Sequence, residues 1–155
     1  MRCRHYVVTA GAALLVLAGS ILPGAAADLQ PLIKKLSSPT VNDRKAAARE
    51  LGKLRDPASI PALIEALKDT EPMVRLEVSG ALMDLGKPVE DPLIAAVKVE
   101  KNSAFLWNAI RILEMLGDPK AIEPLKAVAK ESTDPNIVQA ANYTIDRLSR
   151  VKAAN

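Results

Sequence analysis

A block of about thirty-one residues occurs four times in this 155-residue chain, and no other feature limits its fold so strongly. Leucines recur at Leu54, Leu85, Leu116 and Leu148, spaced 31, 31 and 32 residues apart. A second column, Leu51, Leu82, Leu113 and Ile145, keeps the same spacing. Each block carries a proline near its start: Pro31, Pro61, Pro92 and Pro124. A unit this short cannot bury an apolar face alone. Stacking its copies can, so the period predicts a solenoid of helix pairs. The expected fold class is all-α, a right-handed α-α superhelix of about four pairs, with repeats at about residues 31–60, 61–91, 92–123 and 124–150.

Residues 1–27 stand apart from that pattern. Arg2 and Arg4 precede an apolar run from Val7 to Leu22, and Pro23-Gly24 then interrupts it. Ala25-Ala26-Ala27 supplies small residues of the kind a signal peptidase accepts. The expectation is a signal peptide over 1–27, cleaved before Asp28, and a repeat domain over 28–155 in a periplasmic or secreted protein. An uncleaved anchor is the alternative. The sixteen-residue run is short for a bilayer that needs about twenty. Stable membrane insertion after cleavage is not expected.

Cleavage would also narrow the available chemistry. Cys3 and His5 are the only cysteine and histidine, and both precede residue 28. Net charge would fall from +3 to +1 with the loss of Arg2 and Arg4. A near-neutral surface argues against nucleic acid as a partner. The carboxylates show no metal-ligand spacing, so neither a metal site nor a cofactor is expected.

Within each block, a short helix precedes a polar turn and a longer helix. Leu32, Ile33 and Leu36 mark the first short helix; Leu63, Ile64 and Leu67 the second; Leu93, Ile94 and Val97 the third; Leu125 and Val128 the fourth. Proline suits helix starts, where a missing N–H removes no helical hydrogen bond. In the longer helices Phe105, Ala109, Ile112, Leu113 and Leu116 share one face, as do Val74, Val78, Ala81, Leu82 and Leu85. The column Ala47, Val78, Ala109, Ala141 keeps to small residues, which suits close helix contact. Gly86 and Gly117 mark helix stops, whereas Arg55 makes a less favourable one.

The run from Arg44 to Pro57, RKAAARELGKLRDP, resembles the second helix and following turn of a HEAT repeat. Its nearest likeness is the bacterial HEAT-like repeat of phycobilisome lyases. Val74-Arg75, Ala81-Leu82 and Leu116-Gly117-Asp118-Pro119 extend the resemblance over nearly all of residues 28–155. Leu106 and Val138 depart from it, standing where the second repeat has Arg75. The resemblance implies the fold and leaves the function open, because such repeats serve scaffolds, adaptors and enzymes.

By that likeness the second helices line the concave side. The residues facing away from the core would be Lys45, Arg49 and Gly52; Leu76, Gly80 and Met83; Trp107, Arg111 and Glu114; and Gln139, Tyr143 and Asp146. Leu76, Trp107 and Tyr143 are expected to form one patch, since adjacent helices pack about 8–10 Å apart. The expected binding residues are Leu76, Met83, Trp107, Arg111, Gln139 and Tyr143, aromatic and Arg side chains being common interface anchors. Trp107 folded onto a neighbouring helix is the alternative. Glu71 and Arg75 are expected to pair across one helical turn. Lys34, Lys35, Lys68, Asp69, Lys126 and Lys130 should form a solvated convex face, while Glu90-Asp91 reads as a helix start.

No catalytic constellation is visible, so the main expectation is a non-enzymatic interaction module in the cell envelope. It would bind a protein or peptide along its concave face. A phycobilin lyase-type enzyme is the alternative; the resemblance places those on cytoplasmic phycobiliproteins, which the export signal opposes. HEAT-type hydroxylases need histidine ligands, and HEAT-like DNA glycosylases need a basic groove. Self-association through the open ends of the stack is a third expectation.

Overall fold

The structure, a computed structural model, describes residues 28–154. The proposed signal peptide, with Cys3 and His5, therefore lies outside the described residues. Eight α-helices follow one another in four pairs among them: α1 (Gln30–Lys35) and α2 (Val41–Leu54), α3 (Ile60–Ala66) and α4 (Pro72–Leu85), α5 (Glu90–Val99) and α6 (Ser103–Leu116), α7 (Ile122–Glu131) and α8 (Pro135–Ala154). Short 3₁₀ turns at Pro57–Ser59, Lys87–Val89 and Pro119–Ala121 link one pair to the next.

Each first helix packs on its own second helix, and α2, α4, α6 and α8 pack in succession. On the other side α3 meets α5, and α5 meets α7. Two helical layers enclose one apolar seam, which is the solenoid that the period predicts.

The periodic columns form that seam unequally. Leu51, Leu82 and Leu113 are buried, as are Ala47, Val78, Ala109 and Ala141. In the other leucine column Leu85 and Leu148 are buried, but Leu54 is 44% exposed. Leu116 is partly covered, so burial along this column is uneven, which spacing alone does not show.

The prolines sit slightly later than the first helical position. Pro31 and Pro61 are second in α1 and α3; Pro92 and Pro124 are third in α5 and α7. All remain within the first four residues, whose N–H groups have no acceptor inside the helix. At the far ends, Gly117 has φ +77° and stops α6 in the left-handed region. Arg55 takes the same role after α2 with φ +51°, at a steric cost of roughly 1–2 kcal/mol for a residue with a Cβ.

The turns inside the pairs share one scheme. Ser38 Oγ accepts from the Thr40 N–H at 3.2 Å, Asp69 Oδ1 from Glu71 at 2.9 Å, Glu100 Oε1 from Asn102 at 3.1 Å and Ser132 Oγ from Asp134 at 3.2 Å. Arg44 reinforces the first turn by donating to the Ser38 carbonyl at 2.8 Å, and Arg75 the second by donating to Asp69 O at 2.6 Å and Thr70 O at 3.0 Å. The Arg75 guanidinium is therefore spent on backbone carbonyls. It forms no ion pair with Glu71 among the described residues, contrary to expectation. Leu106, at the corresponding place in α6, is buried instead.

Two residues assigned to a solvated convex face tie neighbouring repeats together. Asp69 accepts from Arg44 Nε at 2.6 Å and Nη2 at 3.0 Å, with both side chains largely covered. Lys68 bridges Glu65 at 2.8 Å and Glu100 at 2.7 Å. Burial alone would raise the Asp69 carboxyl. The Arg44 hydrogen bonds, the Glu71 N–H and the nearby Arg44 and Arg75 charges outweigh that and hold it below the ordinary 3.8. A depressed carboxyl contributes stability that is complete above its unfolded value and lost as pH falls through the folded one. The melting temperature is expected to fall on acidification below about pH 4. That acid limb should be shallower in Asp69→Asn, and superimposable profiles for the two proteins would refute the assignment.

Candidate functional site

The second helices project an open face, and the expected binding residues all lie on it. Trp107 is 42% exposed and Tyr143 59%; Leu76, Met83, Arg111 and Gln139 are exposed as well. Lone exposed apolar residues carry little meaning, but a group on one face marks a contact surface.

That surface is two grooves rather than the single patch expected. Trp107, Ile110, Arg111, Gln139 and Tyr143 line the larger one, between α6 and α8, with a volume of about 390 Å³. Leu76, Met83, Ile112 and Met115 line a smaller one of about 120 Å³ between α4 and α6. Arg111 lines both. Leu76 is therefore separated from Trp107 and Tyr143 by the α6 ridge that carries Arg111.

The neighbouring charges are already matched. Arg49 pairs with Glu77 at 2.5 Å, Arg147 with Glu114, and Arg150 with Asp146 at 2.6 Å. Arg111 takes part in no ion pair among the described residues. The face thus presents a cation between two apolar depressions.

Gly52 does not belong to this face. A Cβ on it would stand 2.8 Å from the Ala81 Cα and 2.9 Å from the Ala81 Cβ. It is a point of close approach between α2 and α4, and helical spacing within α2 cannot reveal its neighbour in α4. Thr144 was missed for a related reason. It lies one residue beyond Tyr143, lines the larger groove and is buried, yet its hydroxyl has no hydrogen-bond partner. A threonine inside a helix gives no sequence sign of such an orphaned group.

Glu90 lies in the first turn of α5, as its sequence context suggested, but it is buried. Burial and a hydrogen bond to Asp118 raise its carboxyl above the ordinary value. The Lys120 N–H keeps Asp118 low. This pair links the start of α5 to the turn after α6 and lies outside both grooves. Among the described residues, no group of three or more His, Cys, Asp or Glu side chains is placed to hold a metal ion.

The exposure of Trp107 has an optical consequence, since it is the only tryptophan. Its emission is expected to be red-shifted and readily quenched by iodide. Trp107→Ala should change stability by much less than the roughly 3–5 kcal/mol of a buried Trp. Blue-shifted, protected emission would place the ring in the core.

Residues 29–92 match the HEAT repeats family, and residues 105–131 match the PBS lyase HEAT-like repeat. Among curated proteins, the chain is 28% identical over 135 residues to an uncharacterized phycocyanin operon protein Z from Pseudanabaena tenuis, covering 81% of this chain and 67% of that protein. It is 28% identical over 102 residues to a phycobilisome maturation protein from Synechococcus elongatus, covering 66% of this chain and 49% of the relative. A phycocyanobilin lyase subunit beta from Thermosynechococcus vestitus matches equally, over 66% of this chain and 47% of the relative. The chain thus spans about two thirds of the first relative and about half of the other two.

These relatives overturn two expectations. A non-catalytic scaffold of the periplasm or envelope does not fit relatives named for phycobilisome maturation and bilin lyase activity. The expectation of no enzyme, drawn from the lack of a catalytic constellation, is overturned with it by a relative named as a phycocyanobilin lyase subunit and by the PBS lyase HEAT-like repeat. The matched segments, residues 29–92 and 105–131, place HEAT-like repeats in both halves of the described chain.

Proposed function

We propose that this chain takes part in lyase-type maturation of a bilin-bearing protein, engaging a phycobiliprotein-like client on its concave face. The observation that carries this reading is the match over most of the repeat region to relatives named for phycobilisome maturation and for a phycocyanobilin lyase. The open face supports it, with Trp107 and Tyr143 able to seat a flat apolar group and Arg111 able to meet an acid. Residues 28–155 contain neither cysteine nor histidine. The chain's part is therefore to hold and orient the reactants, which can supply several kcal/mol of a barrier. The group that takes up the bilin comes from the client.

The direct test mixes the purified chain, phycocyanobilin and an apo-phycocyanin, then follows covalently bound bilin on a denaturing gel. Attachment faster than in the mixture lacking the chain is the expected result. Equal rates with and without it would refute the reading.

We further infer that residues 1–27 direct export and are removed before Asp28. This rests on the basic start, the apolar run and the Ala25-Ala26-Ala27 site. Lyase-type work and export agree only if the client meets the chain outside the cytoplasm. N-terminal sequencing of the protein from its native cells is expected to begin at Asp28. An intact Met1 would refute cleavage.

A further inference from the structure

The short helices α3, α5 and α7 each begin at a covered position, and one of these positions carries a carboxyl. Ile60 opens α3, Glu90 opens α5 and Ile122 opens α7, at 3%, 8% and 8% exposure. The residue before each, Ser59, Val89 or Ala121, is buried too, which fixes the register of the comparison. Glu90 thus stands where the sister repeats place isoleucine. A carboxylate there gives up hydration that an isoleucine never had.

Its partner is a second acid. Asp118 lies in the turn after α6, where Oδ1 accepts from the Lys120 N–H at 2.8 Å, and the Glu90 carboxyl is hydrogen-bonded to it. Ionised carboxylates only accept, so two of them need a proton between them to bond. The Lys120 N–H favours the ionised form of Asp118, which leaves the proton on Glu90. Asp56 holds the equivalent turn two junctions earlier, accepting from the Ala58 N–H at 2.9 Å, but α1 contains no acid to meet it. The other charges acting on Glu90 are Lys87 of its own turn and Lys120 of the next. Lys120 is divided between Asp91 at 3.6 Å and Asp118 at 3.9 Å. On the helices packed against α5, Glu65, Glu114, Glu123 and Glu131 each have a cationic partner of their own. Arg111 lines the two grooves, and Lys98 and Lys130 lie at the far ends of α5 and α7.

We propose that Glu90 and Asp118 form a proton-operated joint between the start of α5 and the turn leading into α7, closed while Glu90 donates its proton to Asp118 and opened when that proton passes to solvent. Ionisation leaves two carboxylates facing each other, and their repulsion acts on the turns that hold them. The joint stands apart from the concave grooves and does not depend on the lyase-type reading. Burial, then the bond to Asp118, raises the Glu90 carboxyl above its ordinary 4.5. A raised carboxyl contributes stability that is complete below its unfolded value and lost as pH rises through the folded one. That is the opposite sense to Asp69. Asp118, held low, adds its own loss only in stronger acid.

The test follows the Glu90 carboxyl carbon by NMR through a pH titration of the full chain, assigned by its absence in Glu90→Gln. Its midpoint is expected above those of the exposed glutamates. Asp118→Asn keeps an acceptor for the turn and removes the charge, so it should bring that midpoint down toward them. Glu90→Gln can donate to Asp118 at any pH. It should melt with wild type near about pH 5 and about 3 °C or more above it near about pH 8. Glu90→Ile, carrying the residue of the sister positions, should likewise gain on wild type as pH rises. Over the same rise, amides at the start of α5 and in the Pro119–Ala121 turn should lose about tenfold in hydrogen-exchange protection in wild type and keep it in Glu90→Gln. A Glu90 midpoint among those of the exposed glutamates would overturn the proposal. So would an unchanged midpoint in Asp118→Asn, or melting offsets of both Glu90 variants that are equal at the two pH values.

Discussion

Leu82→Ala and Leu113→Ala are each expected to destabilise the fold by about 2–5 kcal/mol, the range for a buried leucine truncated in a core that cannot close around the gap. Both side chains are essentially inaccessible. They sit in α4 and α6, helices that pack against those of both the preceding and the following repeat. In a stack stabilised by neighbour contacts, a central loss weakens the interfaces on both sides. Since small domains have only about 5–15 kcal/mol in all, a large share of the molecules would unfold early in a urea titration. Leu54→Ala is the internal control. Its side chain is 44% exposed although it occupies a leucine column, so its midpoint should barely move. Equal losses for Leu54 and Leu113 would mean that the helices are rotated from the positions described.

Gly52→Val should also be damaging, by about 1–3 kcal/mol or more, through overpacking rather than a void. The first added carbon would lie 2.8 Å from the Ala81 Cα, and that atom belongs to the α4 backbone. Relief requires α4 to move away from α2, which opens the seam between the first two repeats. Gly80→Ala offers the contrast within α4. Nothing lies within 4 Å of a Cβ built there, so the substitution is expected to stabilise by about 0.5–1 kcal/mol through helix preference alone. Thermal melts of the two variants should therefore shift in opposite directions. A neutral Gly52→Val would show that the two helices are not in close contact.

Much of the fold was legible because the repeat supplies the same evidence four times. The columns of Leu51 and Ala47 locate the core, and turn residues mark where helices begin. Legibility ended where a residue's environment comes from another helix. Gly52 and Leu54 were misplaced on those grounds, and Arg75 was matched with Glu71 because sequence distance shows side chains more readily than free carbonyls. The exposed positions Trp107, Arg111 and Tyr143 followed from helical spacing. Their division between two grooves did not, since it depends on the depth of the α6 ridge. Thr144 carries no sequence mark at all. Function was least legible: the repeat specifies how helices stack, and the same stacking accommodates binding and lyase-type roles.

The polar ties between successive turns differ along the stack. In the first two repeats, Arg44 links its own turn to Asp69 of the next, and α2 lies against α4 without a spacer at Gly52. Between the third and fourth repeats the corresponding turns are bridged by Lys101 and Glu131, both well exposed and open to screening by salt. The polar tie between turns is thus covered at one end of the stack and exposed at the other, so rising salt should loosen the Lys101–Glu131 pair well before the Arg44–Asp69 pair.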